Sequence, residues 1–327
     1  MKYLVTGTGG VGGSIAGFLA LAGKDVTCIA RGAHLQAIRE RGLRLKSDLK
    51  GTRCIRIPAY TSEEFTGQAD VIFVCVKGYS LESIAGLIQK ASHKDTLIIP
   101  VLNVYGTGDR IQMMIDGRRL KPSVNGAIAL DGCIYIVSFI SAPGEITQMG
   151  KIFRLVYGVR KGTLVSPEKM QAIRDDLTES GVKAVISEDI NRDTFIKWSY
   201  ISAMALTGAY FDVPMREIQK AGEEREVFIG LSTESAEIGR KLSIPIPDDL
   251  VAYNLRILDN LDPDSTASLQ KDIAKGHESE MDDLLFNMIR IGGKTGVKTP
   301  VYQKIAEWFY YSNKNTSEGA DRFKTFK

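Results

Sequence analysis

Residues 2–31 read KYLVTGTGGVGGSIAGFLALAGKDVTCIAR, and this segment is the strongest indication of the fold in the sequence. It contains the pattern G-x-G-x-x-G at Gly7, Gly9 and Gly12. The pattern alone is weak in a glycine-rich chain, but here a β-rich run precedes it, an apolar helix-like segment follows it, and a second β-rich run comes next. That order is typical of a strand–loop–helix unit that binds a dinucleotide.

The glycines have distinct roles in such a loop. Gly7 allows a tight turn, Gly9 lets the backbone approach a pyrophosphate, and Gly12 lets helix and strand pack closely. Gly10 and Val11 open the helix, whose free N–H groups and dipole attract phosphate. The alternative is a merely flexible loop.

Further segments of the first half alternate between strand-like and helix-like patterns. Continuous apolar runs between helix-like segments are typical of strands buried on both faces of a parallel sheet. The predicted strands after the first are residues 25–30, 69–76, 96–102, 133–140 and 152–157. The pattern predicts a Rossmann-type doubly wound parallel sheet, an α/β fold, and an NADP-binding domain over residues 1–188.

The sequence pattern changes near Asp189. Beyond this residue the segments are helix-like, and prolines lie in the connections between them. Predicted helices here are residues 193–209, 222–242, 248–258, 276–292 and 299–311. The second half is therefore predicted as an all-helical substrate and catalytic domain, residues 189–327.

Composition excludes several classes of function. Forty-two Lys and Arg against 39 Asp and Glu leave a net charge of +3, which indicates neither a nucleic-acid partner nor an anionic membrane surface. No apolar stretch approaches the roughly 20 residues that span a bilayer. The three His and four Cys lack the spacing of a metal site, so no metal is expected. Cys28, Cys54, Cys75 and Cys133 are expected to be buried reduced thiols in a cytoplasmic protein.

The end of the second strand bears on the choice of cofactor. An NAD site usually has Asp or Glu there to accept from the ribose 2′-hydroxyl, but this strand ends at Arg31. A guanidinium pairs with a 2′-phosphate, so Arg31 favours NADPH over NADH. The alternative is a solvated cation at a strand end.

Two other apolar runs end in polar residues, at Lys77 and at Asn103. Ligands of open α/β sheets bind outside the carboxyl ends of the strands, so both side chains are candidates for contact with cofactor or substrate. A strand that simply meets water also ends in this way.

Three residues of the second half are candidates for chemistry. Lys197 opens an otherwise apolar helix, and a lysine partly removed from water at an interdomain cleft is suited to proton transfer. Ser268 and Glu280 can hold a carboxylate and an ammonium or hydroxyl. From spacing alone, all three are ordinary surface residues of helices.

The whole pattern resembles the ketopantoate reductase (2-dehydropantoate 2-reductase) family, from GTGGVGG and Arg31 through CVK and LN to FIKW and SLQKDIAKGHESEMD. The resemblance implies that Lys77 contacts the cofactor and that Asn103 contacts cofactor and substrate. It implies that Lys197 is the general acid and that Ser268 binds the substrate carboxylate. Glu280 would lie beside the lysine, among the catalytic and cofactor-binding groups.

The chain departs from the family pattern at three positions. Val104 follows Asn103 where the family usually has L-Q-N-G. Ile201 and Ala205 stand where many pantoate-forming members have asparagines, one and two turns after the lysine. Because lost amides mean lost hydrogen bonds to a substrate hydroxyl, a more apolar 2-oxo acid is an alternative substrate.

The sequence thus predicts NADPH-dependent reduction of a 2-oxo acid, with 2-dehydropantoate to (R)-pantoate in coenzyme A biosynthesis as the first candidate. Substrate would enter between the domains. By analogy a homodimer is expected. The rival hypotheses are a dehydrogenase that acts on an imine or oxidises a hydroxy acid, and a catalytically silent NADP(H) sensor.

Overall fold

The computed structural model describes residues 1–117 and 126–314. The chain divides into two compact units. The first unit is Met1–Leu102 with Gly106–Thr194, and the second is Asn103–Tyr105 with the chain from Phe195 onward. The functional domains 1–188 and 189–327 stay a prediction, and residues 315–327 lie outside the described ranges.

The described strands belong to the first unit. They are β1 Lys2–Thr6, β2 Asp25–Ile29, β3 Leu43–Ser47, β4 Gly51–Ile55, β5 Ala59–Tyr60, β6 Val71–Val74, β7 Leu97–Pro100, β8 Ile128–Ala129, β9 Asp131–Ala142, β10 Glu145–Gly158 and β11 Lys183–Ile186.

The α-helices are distributed over both units. They are α1 Gly10–Leu21, α2 Gly32–Arg41, α3 Leu81–Ala91, α4 Thr107–Ile115, α5 Pro167–Glu179, α6 Ile190–Phe211, α7 Met215–Gln219, α8 Glu223–Lys241, α9 Leu250–Asp259, α10 Ser268–Ala274, α11 Asn287–Thr295 and α12 Pro300–Lys314.

Six strands form the parallel sheet that the sequence predicted, in the order β5-β2-β1-β6-β7-β8. The strand order reverses at β1, since β2 and β5 lie on one side of it and β6 to β8 on the other. Open α/β sheets bind ligands at such a switch point, outside the carboxyl ends of the strands. The glycine-rich loop follows β1 and so lies at this point.

A second, mixed sheet was not predicted. Its order is β11-β10-β3-β4, with β9 paired to β10. The prediction that residues 133–140 and 152–157 continue the parallel sheet is wrong, because they lie in β9 and β10, which are antiparallel. Only Pro143 and Gly144 connect the two strands, and Gly144 has φ +76°. A connection this short joins antiparallel strands, since a parallel pair needs a crossover of a dozen residues or more.

Helix α1 lies between the two sheets. A Cβ on Gly12 would come within 3.1 Å of Val5 Cγ1 in β1, and one on Gly13 would meet Ile146 of β10 at 2.6 Å. Phe18 of α1 packs edge-on against Phe153 of β10, with ring centroids 4.8 Å apart. The helix is apolar on all sides because its residues from Gly12 to Leu19 are buried without interruption.

Two of the four cysteines are less buried than the sequence predicted. Cys28 and Cys133 are buried as predicted, but Cys54 is exposed and Cys75 is only partly buried. Cys54 lies on the edge strand β4, where its thiol donates to the Arg41 carbonyl at 2.9 Å. The residues of an edge strand are less completely covered than those of a central strand, and β4 was not among the predicted strands.

In its described residues the second unit contains helices and no strand. The helix predicted from Gly276 begins later: a π-helical turn at Asp282–Phe286 leads into α11, and Gly276 has φ +63°. No helix of the described ranges is long and apolar enough to cross a membrane.

Glu234 of α8 caps another helix of this unit. Glu234 is 6% exposed, and its carboxylate accepts from the amides of Val301 at 2.7 Å and Tyr302 at 3.2 Å, in the first turn of α12. Burial raises the pKa of Glu234, while the two amides act in the opposite sense. The carboxylate thus satisfies two orphan donors of a helix start.

We expect Glu234→Ala to lower the free energy of unfolding by about 2–3 kcal/mol, because it leaves amides at a largely buried helix start without their acceptor. Urea denaturation measures the change. Glu237→Ala, on the same helix at an exposed position, is the matched control and should cost under about 0.5 kcal/mol. Equal losses in the two variants would remove the capping role.

Candidate active site

The glycine-rich loop is shaped by bonds to the end of β2. The amides of Gly7 and Thr8 both donate to the Ile29 carbonyl, at 3.2 and 3.1 Å, and the Thr8 hydroxyl donates to it at 2.8 Å. Gly7 has φ +83°, which a side chain rarely adopts. The loop therefore turns sharply where the sequence predicted a tight turn.

The loop has the features that a dinucleotide phosphate requires. The Gly13 amide bonds to the Gly9 carbonyl at 2.7 Å, so the amides of Gly10, Val11 and Gly12 precede the first intrahelical bond of α1. A Cβ on Gly9 would meet no atom within 4 Å, so this backbone faces open space. Free first-turn donors beside open space fit an anion.

Gly12 has the predicted packing role. A Cβ at this position would lie 2.2 Å from the Gly7 carbonyl oxygen and 3.0 Å from Cys75 Cβ. Any larger residue would push α1 away from the loop. Gly10 is equally confined, since its Cβ would meet the Ser138 carbonyl oxygen at 2.3 Å.

Two predicted cations lie beyond the carboxyl ends of β2 and β6, the two strands that pair with β1. Arg31 is exposed and is the N-cap residue of α2, immediately beyond β2, in extended conformation with φ −145°. Lys77 is half-buried beyond β6 and precedes the short 3₁₀ turn Gly78–Ser80. Because the strands are parallel and lie on either side of β1, both residues follow the same sheet edge as the loop.

In the second unit, Lys197 and Asn103 are in direct contact. Lys197 is only 7% exposed, and its Nζ donates to Asn103 Oδ1 at 2.9 Å. Asn103 lies beyond the end of β7, in the short segment that groups with the helical unit. Because an ammonium only donates, the Asn103 oxygen faces it and the amide nitrogen keeps two hydrogens for other acceptors.

An aromatic contact that the sequence did not reveal fixes this segment. The Tyr105 ring stacks on Trp198 with centroids 5.5 Å apart and meets Phe195 edge-on at 5.3 Å. Val104, the departure from the family's glycine, is buried at 8% exposure. The altered loop is therefore packed against the start of α6, next to Lys197. The available signal was Tyr105 itself, an aromatic residue two positions after Asn103.

Glu280 is 5% exposed, just before the π-helical turn. Trp198, the neighbour of Lys197, donates from Nε1 to the Asp283 carbonyl at 3.1 Å, and Ser202 donates to the Leu284 carbonyl at 2.7 Å. These bonds fasten the segment that follows Glu280 to α6. A buried carboxylate is thus carried by a segment bonded to the lysine's helix.

Ser268 is exposed at the start of α10. The position of this helix depends on Gln270, a buried residue that sequence reasoning did not single out: its Oε1 accepts from the Ala267 amide at 2.9 Å and its Nε2 donates to the Val213 carbonyl at 3.0 Å. Gln270 also packs over Gly208, about three turns beyond Lys197 on α6. A buried glutamine two residues after the serine was the signal.

One face of α6 continues from the lysine as an apolar stripe. Ile201 and Ala205 follow Lys197 by four and eight residues, so they share its face. Ile201 is half-buried and Ala205 is 3% exposed. Neither side chain offers a hydrogen bond.

The predicted site residues thus fall into two groups. The first unit carries the glycine loop, Arg31 and Lys77, and the second carries Asn103, Lys197, Ser268 and Glu280. Among these, a direct bond joins Lys197 to Asn103. Among the described residues, no group of three His, Cys, Asp or Glu could hold a metal ion.

Comparison with known families gives matches along most of the chain. Residues 3–162 match the family model of ketopantoate reductase PanE/ApbA, and residues 189–309 match the model of its C-terminal part. Among curated relatives, the uncharacterized oxidoreductase YkpB of Bacillus subtilis is 28% identical, with 93% of this chain and 96% of YkpB covered. A 2-dehydropantoate 2-reductase of Mesorhizobium japonicum is 25% identical, with 93% and 95% covered.

Solved structures share the fold. A PanE/ApbA family ketopantoate reductase from Ralstonia eutropha JMP134 superposes with a TM-score of 0.83 at 23% identity, covering 96% of this chain and 99% of that one. A D-mandelate dehydrogenase in a ternary structure with NADH and anilino(oxo)acetate also has a TM-score of 0.83, at 22% identity with 94% and 97% covered. The chain therefore belongs to the ketopantoate reductase PanE/ApbA family and is an oxidoreductase of the class that acts on CH–OH groups.

Proposed function

We propose that the protein reduces a 2-oxo acid to a 2-hydroxy acid with NADPH, with 2-dehydropantoate as the first candidate substrate. The observation that carries the proposal is the buried Lys197 ammonium held by Asn103 at 2.9 Å. A ketone reduction needs a proton donor of this kind beside an orienting group. On this proposal the product is (R)-pantoate, for coenzyme A biosynthesis.

The first unit supplies the cofactor site. The open space beside Gly9 and the first-turn amides of α1 suit a pyrophosphate. Arg31 would pair with a 2′-phosphate, which supports NADPH. The D-mandelate dehydrogenase of the same fold was solved with NADH, so the nicotinamide is supported more broadly than the phosphate preference.

The second unit supplies the acid–base chemistry. When bound, the reduced nicotinamide supplies the hydride for the ketone carbon. Lys197 gives a proton from Nζ to the ketone oxygen, and the C=O group becomes CH–OH. Asn103 orients the ammonium, and Glu280 places a buried carboxylate on the segment bonded to the same helix. Ser268 would donate its hydroxyl to the substrate carboxylate.

A second candidate substrate is a 2-oxo acid with a purely apolar side chain. Ile201 and Ala205 make the face of α6 beyond Lys197 apolar, and a substrate hydroxyl would find no partner there. The fold shared with a D-mandelate dehydrogenase is consistent with such a substrate. Burying an unpaired hydroxyl costs about 1–3 kcal/mol, which is enough to set a preference.

The test is NADPH consumption with two matched 2-oxo acids, 2-dehydropantoate and 3,3-dimethyl-2-oxobutanoate, which differ only by one hydroxyl. We expect turnover with 2-oxo acids. A site that binds the hydroxyl should prefer 2-dehydropantoate by about 10⁴ in kcat/KM, whereas an apolar site should discriminate by about 10² or less. NADPH binding without turnover of any 2-oxo acid would contradict the proposal and favour the sensor.

A further inference from the structure

His34, in the first turn of α2, makes a hydrogen bond to a part of the chain that lies far from it in sequence. The Gly144 amide donates to its Nδ1 at 3.0 Å. A ring nitrogen that accepts carries no proton, so the ring is neutral with its hydrogen on Nε2. Burial lowers the pKa of His34, which agrees with a neutral ring.

The partner of His34 is the turn of the β9–β10 hairpin. A Cβ on Gly144 would lie 2.8 Å from the Ala37 Cβ, so the turn packs directly on α2. The hydrogen bond to His34 and this contact lie one helical turn apart. The hairpin turn is thereby fastened to the helix whose N-cap residue is Arg31.

His34 is also linked to the glycine-rich loop, through the hairpin and through the backbone of Thr8. Nε2 is buried and makes no hydrogen bond of good geometry within the described residues. The hairpin bonded to His34 also packs on this loop, since a Cβ on Gly10 would meet the Ser138 carbonyl oxygen of β9 at 2.3 Å. The backbone of Thr8, in the same loop, raises the pKa of His34 against the effect of burial. Thr8 in turn is bonded through its amide and hydroxyl to Ile29, at the end of β2.

His34 therefore connects three segments: the glycine-rich loop, the start of α2 after Arg31, and the turn of the β9–β10 hairpin. We propose that His34 is a positioning residue that holds Arg31 and the glycine-rich loop in the geometry that binds NADPH. This inference rests on the proposed cofactor. Since Nε2 is buried, His34 acts through these segments and does not itself contact the ligand.

The experiment measures the Kd of NADPH and of 2′,5′-ADP for the full chain and its variants. His34→Ala removes the imidazole ring, and with it the bond to the Gly144 amide and the interaction with the Thr8 backbone. We expect Kd for both ligands to rise about tenfold. His34→Asn keeps an acceptor near the Nδ1 position, so it should rebind the Gly144 amide and restore affinity to within about threefold of the natural chain. The KM of the 2-oxo acid should stay unchanged in both variants.

His93→Asn is the matched control. His93 lies in the same unit, with Nε2 3.2 Å from Asp70 Oδ1, and it precedes β7 and so lies at the amino ends of the parallel strands. Its replacement should leave both Kd values within twofold. If His34→Ala shifts only the unfolding midpoint and leaves both Kd values in place, the positioning role is overturned. If the natural chain fails to bind NADPH, the proposed function fails with it.

Discussion

Lys197→Ala is expected to lower kcat by about 10²–10⁴-fold, because it removes the proton donor for the developing alkoxide. The Kd of NADPH should change less than threefold, since the glycine loop and Arg31 belong to the other compact unit. Steady-state turnover with the preferred 2-oxo acid and direct titration of NADPH provide the two numbers. Both are needed, because a general acid acts on kcat and not on cofactor affinity.

Two further variants sharpen this result. Lys241→Ala removes an exposed lysine at the end of α8 and should leave kcat unchanged. Asn103→Ala removes the acceptor 2.9 Å from Nζ and should lower kcat less than loss of the lysine does, because the proton donor remains. If Lys197→Ala keeps normal turnover in a folded chain, the acid lies elsewhere.

Arg31→Ala is expected to raise the Kd of NADPH by about 10–100-fold, because charge-assisted hydrogen bonds to a phosphate contribute about 1.5–3 kcal/mol. The Kd of NADH should stay within about threefold, since NADH has only a ribose hydroxyl at this place. Fluorescence titration with each dinucleotide gives the ratio. Because Arg31 is exposed and its side chain does not cap α2, the variant should fold normally, and a higher Kd would not result from unfolding.

The same helix provides the control for this prediction. Arg41→Ala, in the last turn of α2, keeps the net charge equal to that of Arg31→Ala and should leave both Kd values nearly unchanged. Arg31→Glu should go further and favour NADH, because a carboxylate accepts from the ribose hydroxyl and repels a phosphate. Equal weakening of NADPH and NADH in Arg31→Ala would withdraw the phosphate assignment.

The parallel sheet was predictable because its signals are local. The glycine motif marks the turn between β1 and α1, and β1, Lys2–Thr6, is the β-rich run that the sequence analysis identified before the motif. The mixed sheet was not predicted, although β3 alternates in burial over Leu43, Leu45 and Ser47. Strand β3 has only five residues, and Arg44 and Lys46 lie on its other face. A pattern this short does not distinguish a strand from a loop.

The candidate site was predictable residue by residue but not as an arrangement. Lys197 and Asn103 are 94 positions apart, and their bond depends on the segment Asn103–Tyr105 grouping with the helical unit. Tyr105 holds that segment through ring contacts with α6, which no periodicity indicates. Gln270 was overlooked for the same reason, since both of its bonds serve backbone groups that only the fold brings near.

The burial of α1 between two sheets limits which positions of the chain tolerate substitution. Most helices on a sheet keep one water-facing side on which substitutions drift freely, but the residues from Gly12 to Leu19 are buried without interruption. A randomised library over this helix would return few folded clones. Substitutions that adapt the protein to a different coenzyme are therefore expected outside α1. Position 31 is such a site, because its exposed side chain can change without disturbing the packing of the helix.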